Sequence, residues 1–343
     1  MCVVVAGVAA CGGHSAPKRA TASPAATSAP RTEGEPPAHS GPTAVAASGI
    51  QFPANLAFDP RGGMWVVSGS SGTNASDGVW YVPPDGHPRH VVKGLTAALG
   101  VAWVGDRLYV GHVTTPTNGQ VSVYQGFNGT TFQSHHVVLD GLPVGHSSVG
   151  SVAEGPGGRM FVNVGSPGDN SGRPGHVLSF APGGGAAKVE ATGLRSGFGL
   201  AFHGSQALVT DNGRDDLGPH RPPDELNAFE PAGPVVDFGF PHCYDQGGAA
   251  CAGTRPPLAA FPAHSTLGGV AVKGDVAFVV ENGSTIVQAL SGGGIVRVDL
   301  RTGRRTIFWR SPVKNDPLGA AIGPDGNLYV TLYVSGKIRR FDL

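Results

Sequence analysis

Charge of either sign is scarce in this sequence. Its 343 residues carry 24 lysines and arginines against 24 aspartates and glutamates, with no basic stripe. Phosphate recognition needs a concentrated cationic face, so nucleic acid is not an expected partner. Long apolar runs are missing too. Val3 to Ala10 is apolar, but it is far short of the roughly 20 residues that cross a bilayer as a helix. Sulfur is sparse: four cysteines, two of them within the first eleven residues. Four thiols spread in this way exclude a dense disulfide scaffold. What the chain has in quantity is glycine, 55 residues, and proline, 29, the composition of many short strands joined by tight turns.

The chain divides by composition. Residues 1–11 end in "VAAC", which resembles a bacterial lipobox, and are expected to form a signal leader with Cys11 as the lipidated residue. Residues 12–45 are almost entirely Ala, Pro, Ser, Thr and Gly with scattered charges, and lack the large apolar groups that would offset chain entropy. They read as a disordered tether, and residues 46–343 as the folded part. The protein is thus expected to be exported to a bacterial cell envelope and to meet the membrane only through its lipid. In that compartment Cys243 and Cys251, in "HCYDQGGAAC", are expected to pair as a disulfide, with free thiols the alternative.

One unit recurs six times: a Gly-containing lead, a short apolar strand, a tight turn with Gly and a second apolar strand. The copies begin at Ala54, Leu99, Gly150, Phe198, Gly268 and Leu318, 45 to 70 residues apart. Alternation with period two across a short turn marks each as a β-hairpin. A third strand follows most of them, as in "GVWYVPP" and "GGIVRVDL". Units that cannot bury their own sheet stack radially as propeller blades. The fold class is therefore all-β: a six-bladed propeller of four-stranded antiparallel blades. A β-solenoid would need shorter and more regular spacing. The last copy is one strand short, and "TAVAASG" (43–49) is placed to supply it and close the ring.

Label the strands of a blade A to D from the centre outward. The loops leading into strand A and those leaving strand B then share one end of the propeller. This mouth collects His146, Arg195, His264, Lys314 and Asp316, with Asn163, Glu281, Asn282 and the acidic stretch "TDNGRDDLGPHRPPDELN" (210–227) on the exit loops. The A–B turns at the other end are short and repetitive. Sites sit on varied loops held by a rigid scaffold, so chemistry is expected at the mouth.

"GLPVGHSSVGSVAEGPGGRMFVNVGS", "GLRSGFGLAF", "TDNGRDD…PPDELN" and "FGFPHCYDQG" resemble the soluble glucose/sorbosone dehydrogenases. These are six-bladed quinoproteins that use pyrroloquinoline quinone (PQQ) and calcium. The resemblance implies hydride transfer from a sugar to the quinone. His146 would be the general base, a role suited to an imidazole that titrates near neutral pH. Arg195 would lean on the quinone and stabilise developing negative charge, with Ser196, Asn212 and Lys314 as further cofactor contacts. The carbonyls of Gly213 and Arg214 would bind calcium, a hard ion that takes carbonyl and carboxylate oxygens. Asp215, Asp224 and Glu225 are candidate direct ligands. The expected partners are a small sugar substrate and an electron acceptor that the sequence does not identify.

The chain also departs from that family. It has Arg195-Ser196-Gly197 where "Arg-Asn-Pro" is usual, lacks the "GSWNR" and lysine of blade five, and leads into blade six with Lys314-Asn315-Asp316-Pro317. PQQ has three carboxylates, so missing cations bear on its binding. Two other readings follow. Asn163, Asp211, Asn212, Glu281 and Asn282 are the residue types of a metal-dependent lactonase propeller. A propeller with depleted cofactor cations also suits a binding platform that carries out no reaction.

Overall fold

The computed structural model describes residue 39 and residues 41–70, 77–145, 148–244, 247–284 and 293–343. Cys11, the leader and all but the end of the tether lie outside the described residues, as does His146. Six antiparallel sheets follow one another along the chain, each with its four strands in order from the axis outward. The A strands are Pro53–Phe58, Thr96–Val104, Val149–Glu154, Gly197–His203, Leu267–Lys273 and Pro317–Ile322. Each coincides with the start of one sequence repeat and touches the A strands of both neighbouring blades, which closes the ring.

The last blade takes its outer strand from the beginning of the folded part. Ala44–Ser48 pairs antiparallel with Lys337–Phe341, with Ala44 opposite Arg340 and Ser48 opposite Lys337. Blade three departs from the four-strand pattern. Residues 230–258 are inserted between strands C and D of blade four, and Val236–Asp237 runs parallel to the outer strand of blade three, Lys188–Leu194.

Period-two alternation places one apolar face of each blade against the next, so the core is six separate layers between blades. Trp65 and Val79 meet Val101 and Leu108 between blades one and two. Phe161 and Val177 meet Val209 and Phe229 between blades three and four. Ala47 of the closing strand joins Ile338, Leu56 and Met64 between blades six and one. A side chain as large as Phe161, fully buried, contributes about 1.5–3 kcal/mol. Closing six A strands on one axis forces backbone against backbone. A Cβ at Gly319 would stand 2.5 Å from the Ala54 carbonyl oxygen, and one at Gly268 would stand 2.2 Å from that of Leu318.

The axis itself is filled at the mouth end. Ala54, Leu99, Phe198, Leu318 and Tyr333, from four blades, form one buried apolar cluster. Beneath it Asn55 donates from Nδ2 to the Leu99 carbonyl at 3.2 Å and to Ser151 Oγ at 3.0 Å, a polar crossbar. A cavity of about 240 Å³ lined by Asn55, Ser151, Phe202 and Ile322 lies on the A–B turn side of this crossbar. Among the described residues no helix is long and apolar enough to cross a membrane.

Candidate functional site

The mouth between blades three and four gathers most of the charged residues singled out above. Arg195 sits between the outer strand of blade three and the A strand of blade four, and is only 6% exposed. A buried guanidinium must be paired, and here two loops pair it. Nε and Nη2 donate to Asp169 at 2.8 and 3.1 Å, and Nη2 also donates to Asp215 at 3.1 Å. Burial pulls the arginine's pKa down, but the bonds and charges of Asp169 and Asp215 outweigh it and hold it above its ordinary value. Asp169 comes from the loop after strand B of blade three, and Asp215 from the same loop of blade four.

Behind Arg195 the backbone is fixed by Asp211, the last residue of strand B of blade four. Both Asp211 oxygens accept the Arg195 amide at 3.0 Å, and Oδ1 also accepts the Ser196 amide at 2.7 Å. Burial pushes this carboxyl up to about 6, against the lowering effect of those amides. Asp224 performs the same service one strand over, accepting the amides of Gly213 at 2.8 Å and Thr266 at 2.7 Å. Burial, with the charges of Asp211 and Asp215 adding to it, pushes Asp224 up to about 7. Asn212 bridges to the next blade, donating to the carbonyls of Ser196 and Leu267 and accepting the Leu267 amide. Ser196, Asn212 and Asp224 thus act on the backbone of the site.

The loop 213–216 is exposed at its tip and held by Arg214. This side chain grips Asp216 with Nε and Nη2 at 2.8 and 2.6 Å and donates from Nη1 to the Asp169 carbonyl and to the Tyr244 hydroxyl. The bond from Arg214 holds the Asp216 carboxyl below its ordinary range. The carbonyls of Gly213 and Arg214 accept no hydrogen bond among the described residues. Glu225 projects from the opposite face of its strand to Asp224. It borders a cavity of about 30 Å³ shared with Arg195, Arg214, Cys243 and Tyr244. Cys243 and Cys251 are joined as a disulfide.

Three participants carried no assigned role in the sequence reading. Asp169 lies in "SPGDNSG", a stretch with no periodic signal. His264 was only placed at the mouth; it is buried, with Nδ1 3.4 Å from Asp215 Oδ1 and Nε2 2.8 Å from the Gly218 carbonyl. Its backbone is left-handed, φ +63°, unusual outside glycine. Tyr244 is the third. Lys314 does not join this cluster: it stands exposed on the loop into blade six and forms no ion pair among the described residues. The lactonase-type residues do not converge either. The Asn163 and Asn282 amides donate to carbonyls of the following blade, and Glu281 pairs with Arg310. Among the described residues no three His, Cys, Asp or Glu side chains form a metal-binding group.

Solved structures that share this architecture over most of the chain include several named as sugar dehydrogenases. A PQQ-bound aldose sugar dehydrogenase of Streptomyces coelicolor superposes with a TM-score of 0.70, covering 88% of this chain and 97% of its own at 18% identity. The holo PQQ domain of a pyranose dehydrogenase from Coprinopsis cinerea gives 0.68 over 87% and 94% at 17% identity. The soluble aldose sugar dehydrogenase of Escherichia coli, in its apo form, gives 0.63 over 87% and 98% at 15% identity. The chain shares the six-bladed propeller fold of these structures. No family model matches the chain. An uncharacterised protein of Borreliella burgdorferi is 23% identical over 215 residues, covering 57% of this chain, and the match spans about half that relative's length (53%). On this fold the chain buries Arg195, Asp211 and Asp224 at the blade three–four mouth, with the more exposed Asp215 at their edge.

Proposed function

We propose that the protein is an exported sugar dehydrogenase of the quinoprotein kind, oxidising an aldose or related sugar at the blade three–four mouth with PQQ and calcium. The observation that carries this reading is Arg195: a buried cation at the mouth, ringed by oxygen-rich loops on the fold that the sugar dehydrogenases share. Calcium suits the residues present. Among the described residues the two consecutive carbonyls of Gly213 and Arg214 accept no hydrogen bond, and the neighbouring Asp215 is 43% exposed at its side chain. Hard oxygen donors of this kind are what Ca²⁺ takes. For the quinone, Arg195 would be the anchoring cation, with Asp169 keeping the guanidinium in place and the half-exposed Asp215 beside it. PQQ, when bound, supplies the hydride acceptor. His146 takes the proton of the sugar hydroxyl, as an imidazole titrating near neutrality can. Export and lipidation at Cys11 place this chemistry in the cell envelope.

A binding platform that carries out no reaction is the second reading, and one observation favours it. Arg195 and Arg214 are already neutralised by Asp169, Asp215 and Asp216. The lactonase reading has less support, because apolar side chains fill the mouth end of the axis, Glu281 is paired with Arg310 and the Asn212 side-chain oxygen accepts the Leu267 amide. Titration of the purified protein with PQQ, followed by absorbance with and without Ca²⁺, separates the first two. Saturable, calcium-dependent binding and sugar-dependent dye reduction are expected. A calcium-loaded protein that takes up no quinone leaves the platform reading.

A further inference from the structure

The insertion 230–258 does more than lengthen a loop. Its first part is laid along blade three: Val236–Asp237 pairs with the outer strand, the Phe238 amide donates to the Thr192 carbonyl at 3.0 Å, and the Phe240 amide donates to the Gly193 carbonyl at 2.9 Å. Two residues beyond the Arg195 side of that strand the chain turns back. The Cys243 amide bonds the Gly239 carbonyl, and the disulfide to Cys251 pins the turn. The next residue, Tyr244, is thereby presented to the mouth. Its hydroxyl donates to the Pro241 carbonyl, which fixes the ring on its own segment, and accepts from Arg214 Nη1 at 3.2 Å. The ring centroid lies 5.8 Å from the Arg214 guanidinium carbon, within cation–π range.

We propose that Tyr244 is a positioning residue. Held by the disulfide-tied insertion, it fixes Arg214 and so keeps the Gly213 and Arg214 carbonyls aimed together at a divalent cation. The ligand part of this inference rests on the calcium reading above; the mechanical part does not. The reasoning follows from how Arg214 is held. Its bonds to Asp216 join two residues of one loop, and therefore do not restrain that loop against the rest of the molecule. The contacts that do so are with the Asp169 carbonyl at 3.3 Å, the Asn170 side-chain oxygen at 3.5 Å and the Tyr244 hydroxyl at 3.2 Å. Of the three, Tyr244 also supplies a face for the guanidinium to lie on. A carbonyl pair that must find its orientation afresh for each ion loses affinity to the cost of ordering it.

The test uses the full chain in four forms: wild type, Tyr244→Phe, Tyr244→Ala and the double Cys243→Ser/Cys251→Ser variant. Calcium affinity is read by calorimetry, and amide exchange over residues 211–218 by mass spectrometry. Tyr244→Ala is expected to bind Ca²⁺ about tenfold more weakly, the value of about one charge-assisted contact, and to exchange faster over 211–218. Tyr244→Phe keeps the ring and falls between it and wild type. The double cysteine variant behaves like Tyr244→Ala. Exchange elsewhere in the propeller stays at the wild-type rate in both tyrosine variants, which a general loss of structure would not allow. Unchanged exchange over 211–218 in Tyr244→Ala overturns the mechanical part. Unchanged calcium affinity in that variant overturns the ligand part. A wild-type chain that binds no calcium overturns the calcium reading and the ligand part together, and the exchange data still decide the rest.

Discussion

Asp211 offers a quantitative check on the buried site. Replacing it with Asn keeps the shape and one acceptor oxygen while removing the ionisation. In the fold Asp211 is raised from 3.8 to about 6, chiefly by burial. The carboxyl therefore holds its proton more tightly folded than unfolded, and the folded state carries the extra proton between about pH 4 and about pH 6. Stability falls as pH rises through that window. Two units at ~1.4 kcal/mol each make the loss about 3 kcal/mol, complete above about pH 6. Asp224, raised to about 7, adds a loss of the same sign that extends slightly higher. The carboxyls whose pKa is lowered, Asp216, Asp299 and Asp325 among them, gain their stability below this range and do not mask it. In Asp211→Asn the Asp211 share disappears, and Asp224 is relieved of a neighbouring charge. The variant's stability relative to wild type should therefore improve by about 3 kcal/mol between about pH 3 and about pH 7. Urea denaturation followed by tryptophan fluorescence at several pH values measures this directly. Curves of stability against pH that run parallel for the two proteins would refute a buried, destabilised carboxylate at this position.

Gly319→Ala should cost about 2 kcal/mol, roughly 4 °C in melting temperature, because its Cβ meets the rigid backbone of blade one. Gly168→Ala, in open space, should be neutral or up to ~1 kcal/mol stabilising, and calorimetry on the pair checks the contrast. Asn212→Ala strips the Leu267 amide of its acceptor at the blade four–five boundary and should lower stability by about 2 kcal/mol in urea unfolding. Arg195→Met leaves Asp169 and Asp215 facing each other without a cation. It should cost about 3 kcal/mol and lower PQQ affinity more than tenfold in the absorbance titration.

The blades were legible in the sequence because each repeats one local rule, apolar alternation broken by a glycine turn, and local rules survive without coordinates. The closing strand was legible for a similar reason: "TAVAASG" fits the one vacancy that a six-unit ring leaves. Topology alone also brought Arg195, Asp211 and His264 to one end. What could not be read is how that end is wired. Asp169 reaches Arg195 from 26 residues upstream through a glycine-rich loop with no pattern. The two-residue parallel strand Val236–Asp237 is too short to have a period. The apolar cluster on the axis takes one or two residues from each of four blades, and each of them looked like ordinary strand interior. Tyr244 was quoted as part of a family-like segment, yet only the folded insertion shows which side chain it serves.

The strand Ala44–Ser48 sits on the rim of blade six, and blade six stands opposite blade three around a six-membered ring. The described residues just before it stay packed on this far side from Arg195: the Thr43 amide donates to the Arg340 carbonyl, and the His39 amide to the Phe308 carbonyl of blade five. A pull on the chain from that side is borne first by the His39 contact with Phe308 and next by five residues zipped to Lys337–Phe341, the pairing that keeps the ring shut. A protein held in this way would yield to force by opening its seam between blades six and one, with the charged mouth at blades three and four the last part to feel the strain.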